Sequence, residues 1–297
     1  MLGVVNLDKP VGPTSHDMVG LLRRLTGTRR IGHAGTLDPL ASGVLPILIG
    51  AATRFSEELT GGAKRYDAVI RLGLRSTTDD AEGPLLPGDG PVPPDEAVRD
   101  RLADFVGELE QRPPTFSARK HGGRTAHRAA RAGDPLDLPS RRVVVHAIDL
   151  LQLARNQDGT ADLRIDLRCG AGTYIRSIAR DLGASLGCGA YLLALRRTEA
   201  AGLSVEQAVT PERLEELRQR DALAEAVLPI AGLLPLPRLD LDDAEALRFG
   251  HGATIVLDGA SMVDGRHAVF AGDRLIGVGT VQAGRLQPDK VLSEAAG

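Results

Sequence analysis

Gly32-His33-Ala34-Gly35-Thr36-Leu37-Asp38-Pro39-Leu40-Ala41-Ser42-Gly43, followed at once by Val44-Leu45-Pro46-Ile47-Leu48-Ile49, is the stretch from which the rest of the chain is read. Three glycines and a proline in twelve residues exclude a helix and mark a shaped loop. The apolar run after it reads as a short buried strand. Asp38 is thus a carboxylate on a glycine-rich loop held directly against a core element. Catalytic groups concentrate on loops that a rigid scaffold positions. The same residue also fits a plainer reading, an aspartate capping a turn before Pro39.

Upstream, Gly3 to Leu7 reads as a strand running into the stiff turn Asp8-Lys9-Pro10-Val11-Gly12-Pro13. Ser15 is placed to cap a helix with Met18, Val19, Leu21, Leu22 and Leu25 on its apolar side, ended by Gly27. Arg23, Arg24, Arg29 and Arg30 surround that end, either as a solvated helix terminus or as phosphate contacts.

Downstream, residues 51–59 are expected to be helical and Gly61-Gly62 to end that helix. Lys64 to Gly73 alternates like a strand with one wet face. Residues 76–94, acidic and rich in Gly and Pro, read as a connector, and residues 95–109 as an amphipathic helix. Two strands, 141–153 and 161–169, meet across Asn156-Gln157-Asp158-Gly159, a hairpin signal. Gly170 to Arg176 opens a helix through Leu186, and residues 190–198 return as a strand. Beyond Ser204 come two helical pieces, then the Pro-rich linker Leu228 to Arg238. A short helix, Asp243 to Phe249, and several short strands follow, the clearest pair being 267–270 and 274–278. Strands and helices intermingle, as in an α+β protein with a mixed sheet.

The 297 residues are enough for a sizeable core and two domains. Lys and Arg number 36 against 39 Asp and Glu, a net charge of -3, which argues against indiscriminate nucleic-acid binding. The charge is segregated, however. Gln111 to Gly133 carries Arg112, Arg119, Lys120, Arg124, Arg128 and Arg131 with no Asp or Glu. This basic arm suits a phosphate backbone, although charge alone also fits a solvated face. Cys169 and Cys188 form neither a metal spacing nor a disulfide framework, and the seven histidines show no ligand spacing. The start of the chain lacks the pattern of a signal peptide and no segment is apolar enough to span a membrane, so a cytoplasmic location is expected.

The run GHAGTLDPLASGVLPILIG resembles the signature loop of the TruB family of tRNA pseudouridine synthases, and the family's signature aspartate falls on Asp38. Asp8-Lys9-Pro10 with Thr14-Ser15-His16, Lys64-Arg65-Tyr66, Gly172-Thr173-Tyr174-Ile175-Arg176 and Leu195-Arg196-Arg197 are similar to four further family motifs, in the family's order. Gln111 to Lys120 resembles the family's RNA-binding insertion, and further along that insertion, in the run Arg124 to Arg128, His127 stands in the place of a frequent tyrosine.

The resemblance implies a mixed, largely antiparallel catalytic domain of pseudouridine synthase type over residues 1–230, with residues 111–133 as a basic insertion. It also implies a small β-rich PUA-like RNA-binding domain over residues 237–297. The implied activity is isomerisation of uridine 55 in the T-loop of tRNA, by a monomer without an obligatory protein partner. Breaking one ribose–base bond and making another is redox-neutral, so neither a cofactor nor a metal is called for. Asp38 is implied as nucleophile or base, with Arg176 favouring its charged form. Tyr66 would stack on a flipped base. Ile175 and Leu195 would wall the pocket, Tyr174 would also meet the substrate, and His33 would hold the nucleotide or fill its vacated place. Lys9, Arg119, Lys120 and Arg124 would meet the RNA backbone. Two other readings share these residues: a protein that binds and refolds RNA, and an RNA-guided relative working inside a ribonucleoprotein.

Overall fold

The computed structural model describes residues 1–292 apart from 118, 119, 122, 126–128, 130, 131, 133, 135 and 258–262, and at 120, 121 and 125 it describes the backbone. Strand β1 (Gly3–Lys9) turns into helix α1 (Ser15–Thr26). Thr14, not the expected Ser15, caps that helix. Its hydroxyl accepts from the Asp17 N–H while the Asp17 carboxylate accepts from the Thr14 N–H, a capping box that leaves the Ser15 hydroxyl for other work. Gly27 ends α1 in the left-handed region, its N–H donating to the Arg23 carbonyl. Strands β2 (Ile31–His33) and β3 (Ala41–Ile49) then bracket the glycine-rich loop.

A 3-10 turn (Gly50–Phe55) and the five-residue helix α2 (Ser56–Thr60) lead into β4 (Lys64–Leu72). Within the expected connector lie a small hairpin, β5 (Leu74–Ser76) with β6 (Leu85–Pro87), and a buried Asp80. Helix α3 (Asp95–Ala103) is shorter than the sequence pattern suggests. The chain turns at Gly107, at φ 111, and continues as β7 (Gly107–Gln111), because Leu109 and Gln111 alternate inward against the next long strand. Two two-residue strands, β8 (Lys120–His121) and β9 (Arg124–Thr125), pair within the basic arm. Then come β10 (Arg141–Arg155), β11 (Ala161–Cys169), α4 (Ile175–Ser185), β12 (Ala190–Ala200) and β13 (Leu203–Ser204).

The main sheet runs β1-β3-β12-β4-β11-β10-β7, with β2 added beside β3 and β13 beside β12. Every pairing is antiparallel except β12 on β3. Strand β3 is covered on both faces. Leu45, Ile47 and Ile49 point into one core with α1 and α4, and Val44 and Leu48 into a second with Phe55 and Leu59. In β4, Tyr66, Ala68, Ile70 and Leu72 face the first core, while Arg65, Asp67 and Arg71 face solvent. There they pair across to Asp166, Arg164 and Asp162 of β11. Such cross-strand pairs contribute about 0.2–1 kcal/mol each, so the buried face dominates.

After α5 (Pro211–Gln219), the expected linker is in fact packed. Leu228 exchanges backbone hydrogen bonds with Val4, and Ile230 and Leu234 are buried in the second core. The C-terminal segment is a five-stranded sheet, β14 (Arg238–Asp240), β15 (Ile255–Val256), β16 (Gly265–Ala271), β17 (Arg274–Gln282) and β18 (Arg285–Val291), in the order β14-β16-β17-β18-β15. Helix α6 (Asp243–Gly250) seats Phe249 in its core. No helix among the described residues is long and apolar enough to cross a membrane.

Where β3 meets β12, Gly43 lies at φ 102, and a Cβ there would stand 2.1 Å from the Arg197 carbonyl oxygen. Gly43→Ala is therefore expected to cost about 2–4 kcal/mol through strain and forced separation of the parallel pair. Urea denaturation checks this, and a loss below about 0.5 kcal/mol, the range of neutral surface changes, would contradict the register.

Candidate active site

The loop between β2 and β3 is fastened at nearly every peptide. The Ala34 N–H donates to the Pro46 carbonyl at 2.9 Å, and the Ala41 N–H to the Asp38 carbonyl at 3.0 Å. The Gly12 N–H donates to the Pro39 carbonyl at 2.9 Å. Ser15, released from capping, accepts from the Leu37 N–H at 2.8 Å and donates to the Leu37 carbonyl at 3.0 Å. Arg197 on β12, 1% exposed, does the rest: Nε donates to the Val44 carbonyl at 2.7 Å and Nη2 to the Gly35 carbonyl at 3.0 Å. Held by these bonds, the loop presents Asp38, whose side chain keeps 39% of its surface exposed.

Arg176, in the first turn of α4, meets that carboxylate with Nη2 2.8 Å from Asp38 Oδ2. The guanidinium is 6% exposed and is shared, since Nη1 lies 3.3 Å from Oδ2 of the buried Asp80. Nη2 also donates to the Phe116 carbonyl at 2.9 Å, and Nη1 to the Thr78 carbonyl at 3.3 Å. Asp80 is itself fixed by the Thr78 hydroxyl at 2.5 Å and the Glu82 N–H at 3.1 Å. A planar fork of fixed donors holds several acceptors in one plane, so the position of Asp38 follows from that of Arg176.

Around them is a cavity of about 260 Å³ lined by Asp38, Lys64, Tyr66, Ser117, Arg141, Tyr174, Ile175, Arg176, Leu195 and Arg197, among others. Tyr66 is buried, and that burial pushes its phenol above the ordinary tyrosine range against the pull of Arg197. Burial lowers the Lys64 ammonium to about 8, with Arg197 adding repulsion, although Nζ donates to the Thr60 and Gly62 carbonyls, each at 2.8 Å. Tyr174 is set from two sides: the Gln111 amide exchanges hydrogen bonds with its backbone at 2.8 and 3.1 Å, and the Arg141 guanidinium lies 5.0 Å from its ring centre.

The structure thus gathers Asp38, Tyr66, Tyr174, Ile175, Arg176 and Leu195 around one cavity. His33 is not among its lining residues. It is half-buried on β2, its Nδ1 without a partner, and burial first, then Arg197 and His16, depress its basicity and favour the neutral ring. Lys9 is a correction. It is 0% exposed and its Nζ donates to the Pro10 and Pro13 carbonyls at 2.8 and 2.7 Å, so it has no surface to offer an RNA backbone. Burial brings it down to about 8, with Asp38 the foremost opposing influence. In the arm, Arg124 is exposed and pairs with Asp134 at 2.9 Å, an interaction of about 0–1 kcal/mol that a phosphate can replace. Arg119 and His127 lie outside the described residues, as does the side chain of Lys120.

Composition conceals two residues of the site. Asp80 sits in a segment whose acidity and glycines suggest solvent, and Gln111 carries no charge to mark it. Arg197 and Lys64 stand within family-like motifs, but nothing in their spacing distinguishes a buried role. Among the described residues no group of three or more His, Cys, Asp or Glu is placed to hold a metal ion.

Known proteins resemble the chain over nearly its whole length. Residues 23–175 match the model of the TruB family pseudouridylate synthase N-terminal domain. Residues 176–235 match the tRNA pseudouridylate synthase B C-terminal domain, and residues 237–292 the C-terminal model of pseudouridine synthase II TruB. A protein of Ralstonia nicotianae named tRNA pseudouridine synthase B is 41% identical over 297 residues, covering 98% of this chain and 94% of that one. A protein of the same name from Burkholderia mallei is 42% identical over 303 residues, covering 99% and 98%. Among solved structures, an H/ACA RNP bound to a substrate RNA containing 2'-deoxyuridine superposes with a TM-score of 0.74 at 26% identity, over 97% of this chain and 84% of that one.

Lys64 gives the site a pH signature. An amine whose folded value is depressed to about 8 binds fewer protons folded than unfolded between there and the ordinary lysine value of 10.5, so its contribution to stability rises with pH across that window. The stability of wild type minus that of Lys64→Met should be flat below about pH 8 and climb above it. Tyr66 and Cys169, whose acids burial pushes up, act oppositely in both proteins; Lys64 restrains only Cys169, and because burial holds that thiol at about 11 even beside Lys64, its effect differs between the two proteins only towards the top of the range. Urea melts from pH 7 to 10 read it, and a flat or falling difference would contradict the buried ammonium.

Proposed function

The chain belongs to the TruB family of pseudouridylate synthases, and from that premise we propose that it converts uridine 55 in the T-loop of tRNA to pseudouridine, with Asp38 as the catalytic group. The observation that carries this reading is the half-exposed carboxylate of Asp38, fixed to the buried Arg176 at 2.8 Å beside a cavity that also contains Tyr66. The reaction breaks the bond from ribose C1' to the base nitrogen N1, turns the base, and joins C1' to C5, which loses its hydrogen as a proton while N1 takes one up. It requires an ionised carboxylate as nucleophile or base, a surface on which a bare base can rest, and protection from water. Asp38, Tyr66 and the apolar walls Ile175 and Leu195 supply these in turn.

A uridine inside a folded RNA must leave its stack at a cost of roughly a few kcal/mol. Stacking on Tyr66, worth about 1–3 kcal/mol, offsets part of that cost. Arg119, Lys120 and Arg124 of the basic arm are assigned to the RNA backbone, where each neutralised phosphate releases counterion. Lys9 has no such role. Residues 1–230 form the catalytic part in this reading, and residues 237–297 a second RNA-binding part. The relatives named tRNA pseudouridine synthase B, at 41–42% identity, favour a tRNA substrate over the alternative of an RNA-guided protein working inside a ribonucleoprotein.

The test is an unmodified T-arm stem-loop tritiated at uridine C5, from which product formation releases tritium to water. Wild type should modify the one T-loop uridine. Asp38→Asn should bind the RNA within a few-fold of wild type and lose about a thousandfold or more in rate. An Asp38→Asn protein working at the wild-type rate would overturn the assignment.

A further inference from the structure

Helix α2 has five residues, far too few to hold its shape alone. It is held from two sides. The Glu58 side chain, 2% exposed, receives Arg266 Nη2 of β16 at 2.6 Å and Lys290 Nζ of β18 at 2.8 and 3.0 Å. Lys290 also reaches Glu57 at 3.3 Å, and just before the helix Arg54 donates to the Val291 carbonyl. Burial would push the Glu58 carboxyl up, but the hydrogen bonds from Lys290 and Arg266 reverse this and hold it below the ordinary glutamate range. At the other end of α2, the Thr60 and Gly62 carbonyls accept from Lys64 Nζ.

Lys64 is the hinge of this arrangement. It stands between two cavities, the one at Asp38 and a larger one of about 400 Å³ that Glu58 also lines. A Cβ added at Gly35 would lie 3.7 Å from the Lys64 Cε, so Lys64 faces the Gly35 turn of the loop that presents Asp38. An unbroken series of contacts therefore runs from the C-terminal sheet through Glu58, α2 and Lys64 to the cavity.

We propose that Glu58 is a positioning residue: clamped by Arg266 and Lys290, it holds α2 so that the Thr60 carbonyl at its end and the Gly62 carbonyl just beyond orient Lys64 against the Asp38 loop, and the C-terminal sheet thereby sets the rate of the chemical step. This rests on the reaction proposed above. It assigns the C-terminal sheet a part in chemistry distinct from any grip on RNA. The contacts run through protein side chains and backbone to the cavity, so the effect should persist on a substrate as small as the stem-loop.

The experiment compares full-length wild type, Glu58→Gln, Lys290→Met and their combination on the T-arm stem-loop, in single turnovers with enzyme in excess, alongside RNA affinity and thermal melting. Lys290, whose side chain is 22% exposed, provides a variant that folds even where Glu58→Gln does not. Each single variant should lose about tenfold in single-turnover rate at temperatures well below its melting point, with affinity within twofold. The combination should lose little more than either alone, since both break one clamp. Unchanged rates in folded variants, a loss confined to affinity, or losses that multiply would overturn the proposal. An inactive wild type would instead overturn the underlying reading, and this inference with it.

Discussion

The guanidinium of Arg176 is where the molecule comes together. One buried cation reaches the loop through Asp38, the β5–β6 connector through Asp80 and Thr78, and the root of the basic arm through the Phe116 carbonyl. It sits in the first turn of α4, which is otherwise seated by Ile175, Ile178, Ala179 and Leu182 in the main core. Leaving such a cation unpaired in a low-dielectric interior would cost several kcal/mol, so these segments hold their places jointly. Of the two carboxylates it meets, Asp80 is buried and Asp38 is open to solvent.

The same arrangement repeats at Arg197 and at Lys9. Each is removed from water and directs its donors to backbone carbonyls, of the loop in one case and of the turn after β1 in the other. Buried cations are costly unless they are paired or hydrogen-bonded. The acceptors are the Gly35 carbonyl of the loop and the Val44 carbonyl of β3 for Arg197, and the Pro10 and Pro13 carbonyls of the turn for Lys9. The result is a rigid, glycine-shaped loop around Asp38. That rigidity suits a reaction whose catalysis must come from placement, because the site offers little beyond a carboxylate, an aromatic ring and fixed charges.

Much of this is legible in the sequence, and the failures have physical causes. The glycine-rich loop, the buried run after it and the alternating strands β4 and β11 declare themselves through turn chemistry and two-residue periodicity. Asp38, Tyr66 and Arg176 can be named together from motif resemblance, and the structure brings them to one cavity. Lys9 misleads because a lysine in a polar turn looks solvated, whereas two proline-turn carbonyls claim it. Helix α3 stops short of its pattern because Phe105 and Val106 extend the apolar face, while the pairing of β7 with β10 decides the outcome. Asp80 and Glu58 are invisible for a common reason. A buried acid is recognised by its partners, and those partners lie far away in the chain, at Arg176 for one and at Arg266 and Lys290 for the other.

The most direct test is the single-turnover rate of Arg176→Lys on the T-arm stem-loop. Lysine keeps the positive charge but loses the planar fork that spans Asp38 and Asp80. If the geometry held by Arg176 is what makes Asp38 competent, the rate should fall by about a hundredfold while RNA affinity stays near that of wild type. A variant that works at close to the wild-type rate would show that charge alone suffices, and would contradict the central place of the shared guanidinium.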